Sequence, residues 1–257
     1  MTWFVKEGGY ELFFNRDESI LRSHADLPTL QQQRDIAYLS PTDADAGGTW
    51  IAVNQFGVTV CLLNHYQFEQ IETYKQWTSR GEIVRSFATT ESLRGVDQRF
   101  SMMELDDYRA FRMFIIDRFG NNRLCVWDGH QARVEEGVDR PKSSSAVDAR
   151  HVKQVRKDLF TSMGLTSSQD SDKFLAYHAS HDPDKSQESV CMHRADANTV
   201  SLSHVDVSAS GVNFSYADGP PCEATMGEPL FLALQAISET SAADGQQERR
   251  IALAATI

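Results

Sequence analysis

The sequence has no long apolar run, and no part of it approaches the roughly 20 consecutive apolar residues of a membrane span. Its opening carries Lys6, Glu7 and Glu11, which excludes a signal-peptide core there. Basic side chains are few: 25 Lys and Arg stand against 36 Asp and Glu, for a formal charge of −11. No cluster of Lys or Arg forms a stripe that could track phosphates, which argues against nucleic acid and anionic membrane surfaces as partners. Cysteine is scarce as well. Cys61, Cys125, Cys191 and Cys222 are far apart, with no CxxC and no familiar spacing to histidine, so the expectation is four reduced, mostly buried thiols, no metal and no cofactor. These absences lead to a cytoplasmic protein with no membrane span. No internal repeat is visible.

What the chain does have is strand-forming sequence. With 257 residues and 41% hydrophobic content it can bury one large core, and a single domain over 1–257 is the simplest organisation. Trp3-Phe4-Val5 and Tyr10 to Phe14 flank Lys6-Glu7-Gly8-Gly9 and read as a hairpin. Pairing Val5 with Tyr10 sets Trp3 opposite Leu12 and Met1 opposite Phe14. Residues 19–46 are polar and rich in Pro and Asp, a long loop with a short helix around Leu30 to Tyr38. Thr49 to Val53 and Val58 to Asn64 form a second hairpin. Glu82 to Ala88 and Glu91 to Met103 have near-helical spacing, and Phe111 to Asp117, Arg123 to Asp128 and Gln131 to Glu135 read as a meander. Asp148 to Met163 is an amphipathic helix ended by Gly164.

Residues 165–188 hold a helix at Asp172 to His178 and then a mobile polar connection through His181-Asp182-Pro183-Asp184. Metal binding there is the sharper alternative to a solvated loop, but the spacing fits no familiar site. Val190 to His193, Thr199 to Val207 and Val212 to Tyr216 are strands, the last completing the sheet. Residues 237–250 read as mobile, with Ile251 to Ile257 returning as an edge strand. Many hairpins and a few helices fit two antiparallel sheets covered by helices, an α+β domain.

The first hairpin ends in Asn15-Arg16-Asp17-Glu18. Taken alone, the tetrad reads as a turn whose acids cap a following helix. The wider pattern points elsewhere. Gly9-Tyr10 leading into this tetrad, then Gly47-Gly48-Thr49-Trp50, Asn54-Gln55-Phe56-Gly57-Val58 and Asn64, with Ser143-Ser144-Ser145 and Ser189 to Arg194 further on, resembles the NRDE family. That family is also called the transport-and-Golgi-organisation family, and is similar to N-terminal-nucleophile hydrolases of the choloylglycine hydrolase type. The resemblance implies a four-layer αββα sandwich. It also implies a terminal nucleophile whose α-amine serves as its base, with Asp17 orienting the amine, Arg16 lowering a thiol pKa and Asn64 donating to an oxyanion. Arg194 matches a late active-site arginine, and Ser144 stands where those enzymes carry a second oxyanion asparagine. Asn15 and Ser144 are candidate substrate-binding positions. As plain turn residues, Asn64 and Arg194 need no function at all.

The family's cysteine is absent, because the chain begins Met1-Thr2-Trp3. Thr2 is a poor substitute: pairing with Phe13 leaves it three residues short of Arg16, about 10 Å at ~3.3 Å per strand residue. The position opposite Arg16 falls two residues ahead of Met1, and the expectation is a start mis-chosen or truncated relative to the family. Two functions are compatible with this reading. One is a hydrolase of linear amides, inactive in the 257-residue form. The other is a non-catalytic carrier holding a small or lipid-like ligand, or haem, in the same cleft.

Overall fold

The structure is a computed structural model that describes residues 1–68 and 75–237. Two antiparallel sheets lie face to face with helices on both outer sides. The first sheet has the order β1-β2-β10-β11-β12, from β1 (Thr2–Lys6), β2 (Gly9–Ser19), β10 (Ala197–Ser208), β11 (Gly211–Ala217) and β12 (Leu230–Leu232). The second follows the chain in order from β3 (Asp26–Gln33) and β4 (Ile36–Thr42) through β5 (Ile51–Asn54), β6 (Thr59–Asn64), β7 (Phe111–Ile116) and β8 (Asn122–Trp127) to β9 (Ala132–Glu136). Helices α1 (Gly81–Phe87) and α2 (Leu93–Ser101) cover the second sheet, and α3 (Ala149–Ser162) and α4 (Ser171–Ala179) cover the first. This is the αββα sandwich that the family resemblance implies.

Strand alternation assigns each side chain to a layer. On β2, Tyr10, Leu12 and Phe14 point between the sheets, while Phe13 points to α3 and α4. On β1, Trp3 faces inward and Phe4 outward. In the second sheet Cys61, Leu63, Phe114 and Ile116 face the inter-sheet core, and Val60, Leu62, Met113 and Ile115 face α1 and α2. Because both faces are covered, these strands read as near-continuous apolar runs, which is what made them legible. The two sheets are also tied by polar contacts: Tyr10 Oη donates to Gly57 O at 3.2 Å and shares a 2.5 Å hydrogen bond with Thr59 Oγ1. The first hairpin has the expected register, Val5 with Tyr10 and Trp3 with Leu12.

Four expectations are corrected. The Leu30 to Tyr38 segment is no helix: β3 and β4 pair as a hairpin at the edge of the second sheet. Its polarity disguised it, since β3 is largely exposed, and Gln31 secures it across the pair through Ser40, Thr42 and the Tyr38 hydroxyl. The tetrad is no turn either, because β2 runs through it to Ser19 and pairs with β10. Val190 to His193 makes only one bridge, His193 with Asn198, since its backbone is used by the loop before it, with Cys191 N donating to Ser180 O and His193 N to Ser186 O. Finally, β12 extends the first sheet beyond β11. The proposed edge strand at 251–257, and nearly all of 237–250, lie outside the described residues.

Within β10 the ladder slips by one residue. Thr199 faces Asp17 and Ser201 faces Arg16, so Val200 is an extra residue with no partner on β2, a β-bulge beside the tetrad. Among the described residues no helix is long and apolar enough to cross a membrane.

Candidate functional site

The end of β2 opens into a cleft of about 880 Å³, lined by the tetrad, by Trp50 and Asn64 of the second sheet, by Ser144, and by Arg194 on the 193–198 turn. All six residues singled out from sequence line it, but their side chains are engaged differently. Asn15 is turned to the helix layer: its amide donates to His178 O at 2.9 Å and Val190 O at 3.0 Å. Arg16 is buried between the sheets, donating to Glu18 Oε2 at 3.1 Å and Asp43 Oδ2 at 3.4 Å, with its guanidinium 4.0 Å over the Trp50 ring. Asp17 is exposed and accepts from Thr199 Oγ1 at 2.6 Å. Asn64 donates its amide to Tyr66 Oη at 2.8 Å. Arg194 is gripped by Asp196 in the same turn, through Nε at 2.8 Å and Nη2 at 2.5 Å.

Asp43, in the segment expected to be a loop, anchors the arginine cluster by also pairing with Arg22. Burial pushes its carboxyl up, but Arg22 and the backbone N–H groups of Ala46 and Asp45 outweigh that and hold it below the usual carboxylate range. Arg156 was also missed. It sits on α3 between Val152 and Phe160, buried, with its guanidinium on two backbone carbonyls, Glu188 O at 3.1 Å and Gln187 O at 3.4 Å. The signal was an arginine at i+4 from one apolar residue and i−4 from another, on the buried stripe of an amphipathic helix. In all, six arginines and four carboxylates line the cleft, giving local positive charge in a chain whose net charge is −11. No histidine or cysteine lines it among the described residues, so its donors suit neither a thiolate-bound metal nor a histidine-ligated haem.

Thr2 does not face the cleft. It is fully buried toward α4, with Oγ1 2.8 Å from His178 Nε2, and His178 Nδ1 is 2.9 Å from Asn15 Oδ1. Asn15 spends its NH₂ on two carbonyls, so its oxygen must accept from Nδ1–H and leave Nε2 to accept the threonine proton. The trio has the order of a nucleophile, base and orienter, but neither Thr2 nor His178 can be reached from solvent, so it serves to pin β1 and β2 to α4.

Burial drives the pKa of His178 well below the ordinary value, with the N-terminal amine, His204 and Arg156 adding to the effect. The folded protein therefore holds it neutral, while the unfolded chain takes up a proton below pH ~6.5. Stability from this group is complete above that pH and is lost as pH falls toward the folded value, at about 1.4 kcal/mol per pH unit. Urea unfolding between pH 6.5 and 5 should show a slope that contains this contribution beside those of the Met1 amine and His65, both also lowered by burial, and His178→Gln should reduce it by about one group's share whatever it does to stability at pH 7.5. An unchanged slope in the variant would rule out His178 as a contributor.

The start of β1 is held on its other side by residue 142. Met1 N donates to Lys142 O and Lys142 N to Met1 O, each at 3.0 Å, the reciprocal pair of an antiparallel ladder. Burial lowers the Met1 amine to about 5, with Arg156 adding to that and Asp17 opposing it.

A variant of conjugated bile acid hydrolase from Clostridium perfringens superposes with a TM-score of 0.51 at 12% identity, covering 91% of this chain and 98% of that one. Penicillin V acylase from Agrobacterium tumefaciens gives a TM-score of 0.44 at 10% identity, covering 91% and 99%. The first shows a shared fold. None of the curated proteins matches the chain. The family model for Transport and Golgi organisation 2 matches residues 4–208, and the chain belongs to that family.

Proposed function

We propose that the cleft is the site of an N-terminal-nucleophile hydrolase of linear amides, and that the 257-residue form does not turn substrate over. The observation carrying this reading is the pair of ladders at the start of β1. Extrapolating the β1–β2 register puts the position two residues ahead of Met1 opposite Arg16. Extrapolating the Met1–Lys142 pair puts the same position opposite Ser144. A nucleophile there would stand at the floor of the cleft, next to Asp17 for its amine and within the wall bearing Asn64. The arginine excess favours a substrate with an anionic group, and Phe14, Trp50 and Leu62 offer apolar surface for an acyl chain.

The carrier reading has one observation of its own. Ile20 and Leu21 at the cleft wall are 57% and 92% exposed, which suits an amphiphile more than a small polar amide.

One experiment separates the two. The 257-residue chain and a chain lengthened ahead of Met1 by two residues, cysteine first, are assayed for amine release from a panel of acyl amides with and without a carboxylate. The lengthened chain is expected to hydrolyse some of them while the shorter one stays at background. Asn64→Ala in the lengthened chain should cost roughly 10²–10³ in kcat, the usual loss of an oxyanion donor. Equal hydrolysis by both chains overturns the terminal-cysteine mechanism. Absence of hydrolysis by either, with saturable binding of a fluorescent fatty acid, favours the carrier.

A further inference from the structure

We propose that His181, Cys191, His193 and Cys222 form a zinc site that staples the loop after α4 to the turn beyond β11. One donor atom from each lies within 4.8 Å of all the others. His193 Nε2 is 3.5 Å from Cys191 Sγ and 3.5 Å from Cys222 Sγ, and the rings of His181 and His193 meet at 71° with centroids 5.0 Å apart. With zinc–sulfur bonds of about 2.3 Å and zinc–nitrogen bonds of about 2.0–2.1 Å, the sulfur–nitrogen edge of a tetrahedron is about 3.5 Å. The widest separation closes by roughly 1 Å on binding, a small side-chain rotation.

The donor chemistry supports the same ion. Two thiolates and two neutral imidazoles balance a divalent charge, and a tetrahedral S₂N₂ set is characteristic of zinc. His181 Nε2 is buried with no hydrogen-bond partner, an uncompensated cost that a metal–nitrogen bond would remove. The surrounding backbone is already folded around the donors. Ser189 Oγ donates to Cys191 O at 2.7 Å, and beyond β11 the N–H groups of Glu223 and Ala224 both donate to Pro220 O, forming the turn that presents Cys222. Four protein ligands leave no open position, so the ion is structural.

Its placement bears on the cleft. Met192, between two of the ligands, lines the cleft and exchanges hydrogen bonds with Thr199, whose hydroxyl holds Asp17. The proposal departs from the expectation of metal-free cysteines, which rests on spacing, because the four side chains come from residues 181–222 and meet only in the fold.

The test is metal content and cobalt substitution in the full chain, purified in reductant without chelator. Elemental analysis should find one zinc per chain, and metal-stripped protein given equimolar Co²⁺ should show the intense visible bands of tetrahedral cobalt with a thiolate charge-transfer band. Cys222→Ser should weaken that band and lower cobalt affinity at least tenfold, while Cys125→Ala should leave both unchanged. The proposal is overturned if reduced wild-type protein contains no zinc and gives no cobalt spectrum, if Cys222→Ser leaves the spectrum unchanged, or if peptide mapping of non-reduced protein finds Cys191 and Cys222 disulfide-linked in its place.

Discussion

Gly9→Ala is expected to cost about 3 kcal/mol or more, at the upper end of what overpacking does, and to lower Tm by roughly 6–12 °C in a chain of this size. A β-carbon at this position would lie 1.9 Å from Val207 O and 2.6 Å from Val207 C. Those are backbone atoms of β10, the strand paired with β2 from Tyr10 to Ser19, so no side-chain rotation relieves the contact. The strands must separate where Tyr10 pairs with Val207, which also disturbs the Tyr10 bridge to the second sheet. Gly47→Ala is the control. It has nothing within 4 Å but a φ of +67°, so it should cost only the left-handed penalty of about 1–2 kcal/mol. Denaturant unfolding of the two variants side by side checks this, and equal losses would show that close strand approach is not the cause.

Arg16→Ala is expected to destabilise the fold by about 2–3 kcal/mol. Breaking a fully buried ion pair typically costs about 3–5 kcal/mol, and two features reduce that here. Glu18 is 28% exposed and can rehydrate, and Asp43 keeps Arg22 as a partner. The loss of the guanidinium from the Trp50 face adds back part of the cost. Arg16→Lys should recover some of the charge interaction without the planar stack. Urea unfolding of both variants measures this, and a loss below 0.5 kcal/mol for Arg16→Ala would mean that the cleft wall does not depend on the cluster.

How much was legible in the sequence follows from which faces each segment buries. Strands covered on both sides, such as Tyr10 to Phe14 and Phe111 to Ile116, are apolar at every position but one, Glu11 in the first and Arg112 in the second, and the amphipathic helices advertised a single apolar stripe. β3 has the composition of a loop because its outer surface meets solvent, and only its partner β4 makes it a strand. Val190 to His193 has strand residues but spends its backbone on a folded loop. The tetrad was found through a family pattern, whereas Arg156 and Asp43 enter the cleft from elements whose positions only the tertiary structure fixes. The same is true of His181 and Cys222, which are 41 residues apart in sequence and gain their relation from the hairpin of β10 and β11.

The bulge at Val200 sets the two halves of β10 independently of each other. Deleting Val200 would make Thr199 and Ser201 neighbours, and they already face the neighbours Asp17 and Arg16, so the pairs on both sides would survive in unbroken register. Closing the bulge with Val200 retained is the damaging change. Val200 would then take the place opposite Asp17, and every residue before it would slip by one position, about 3.3 Å, and change face. Thr199 would turn away from Asp17, carrying Met192 and Arg194 out of their places in the cleft wall. One spare residue keeps the ladder beside the cleft in phase with the ladder beneath the helices.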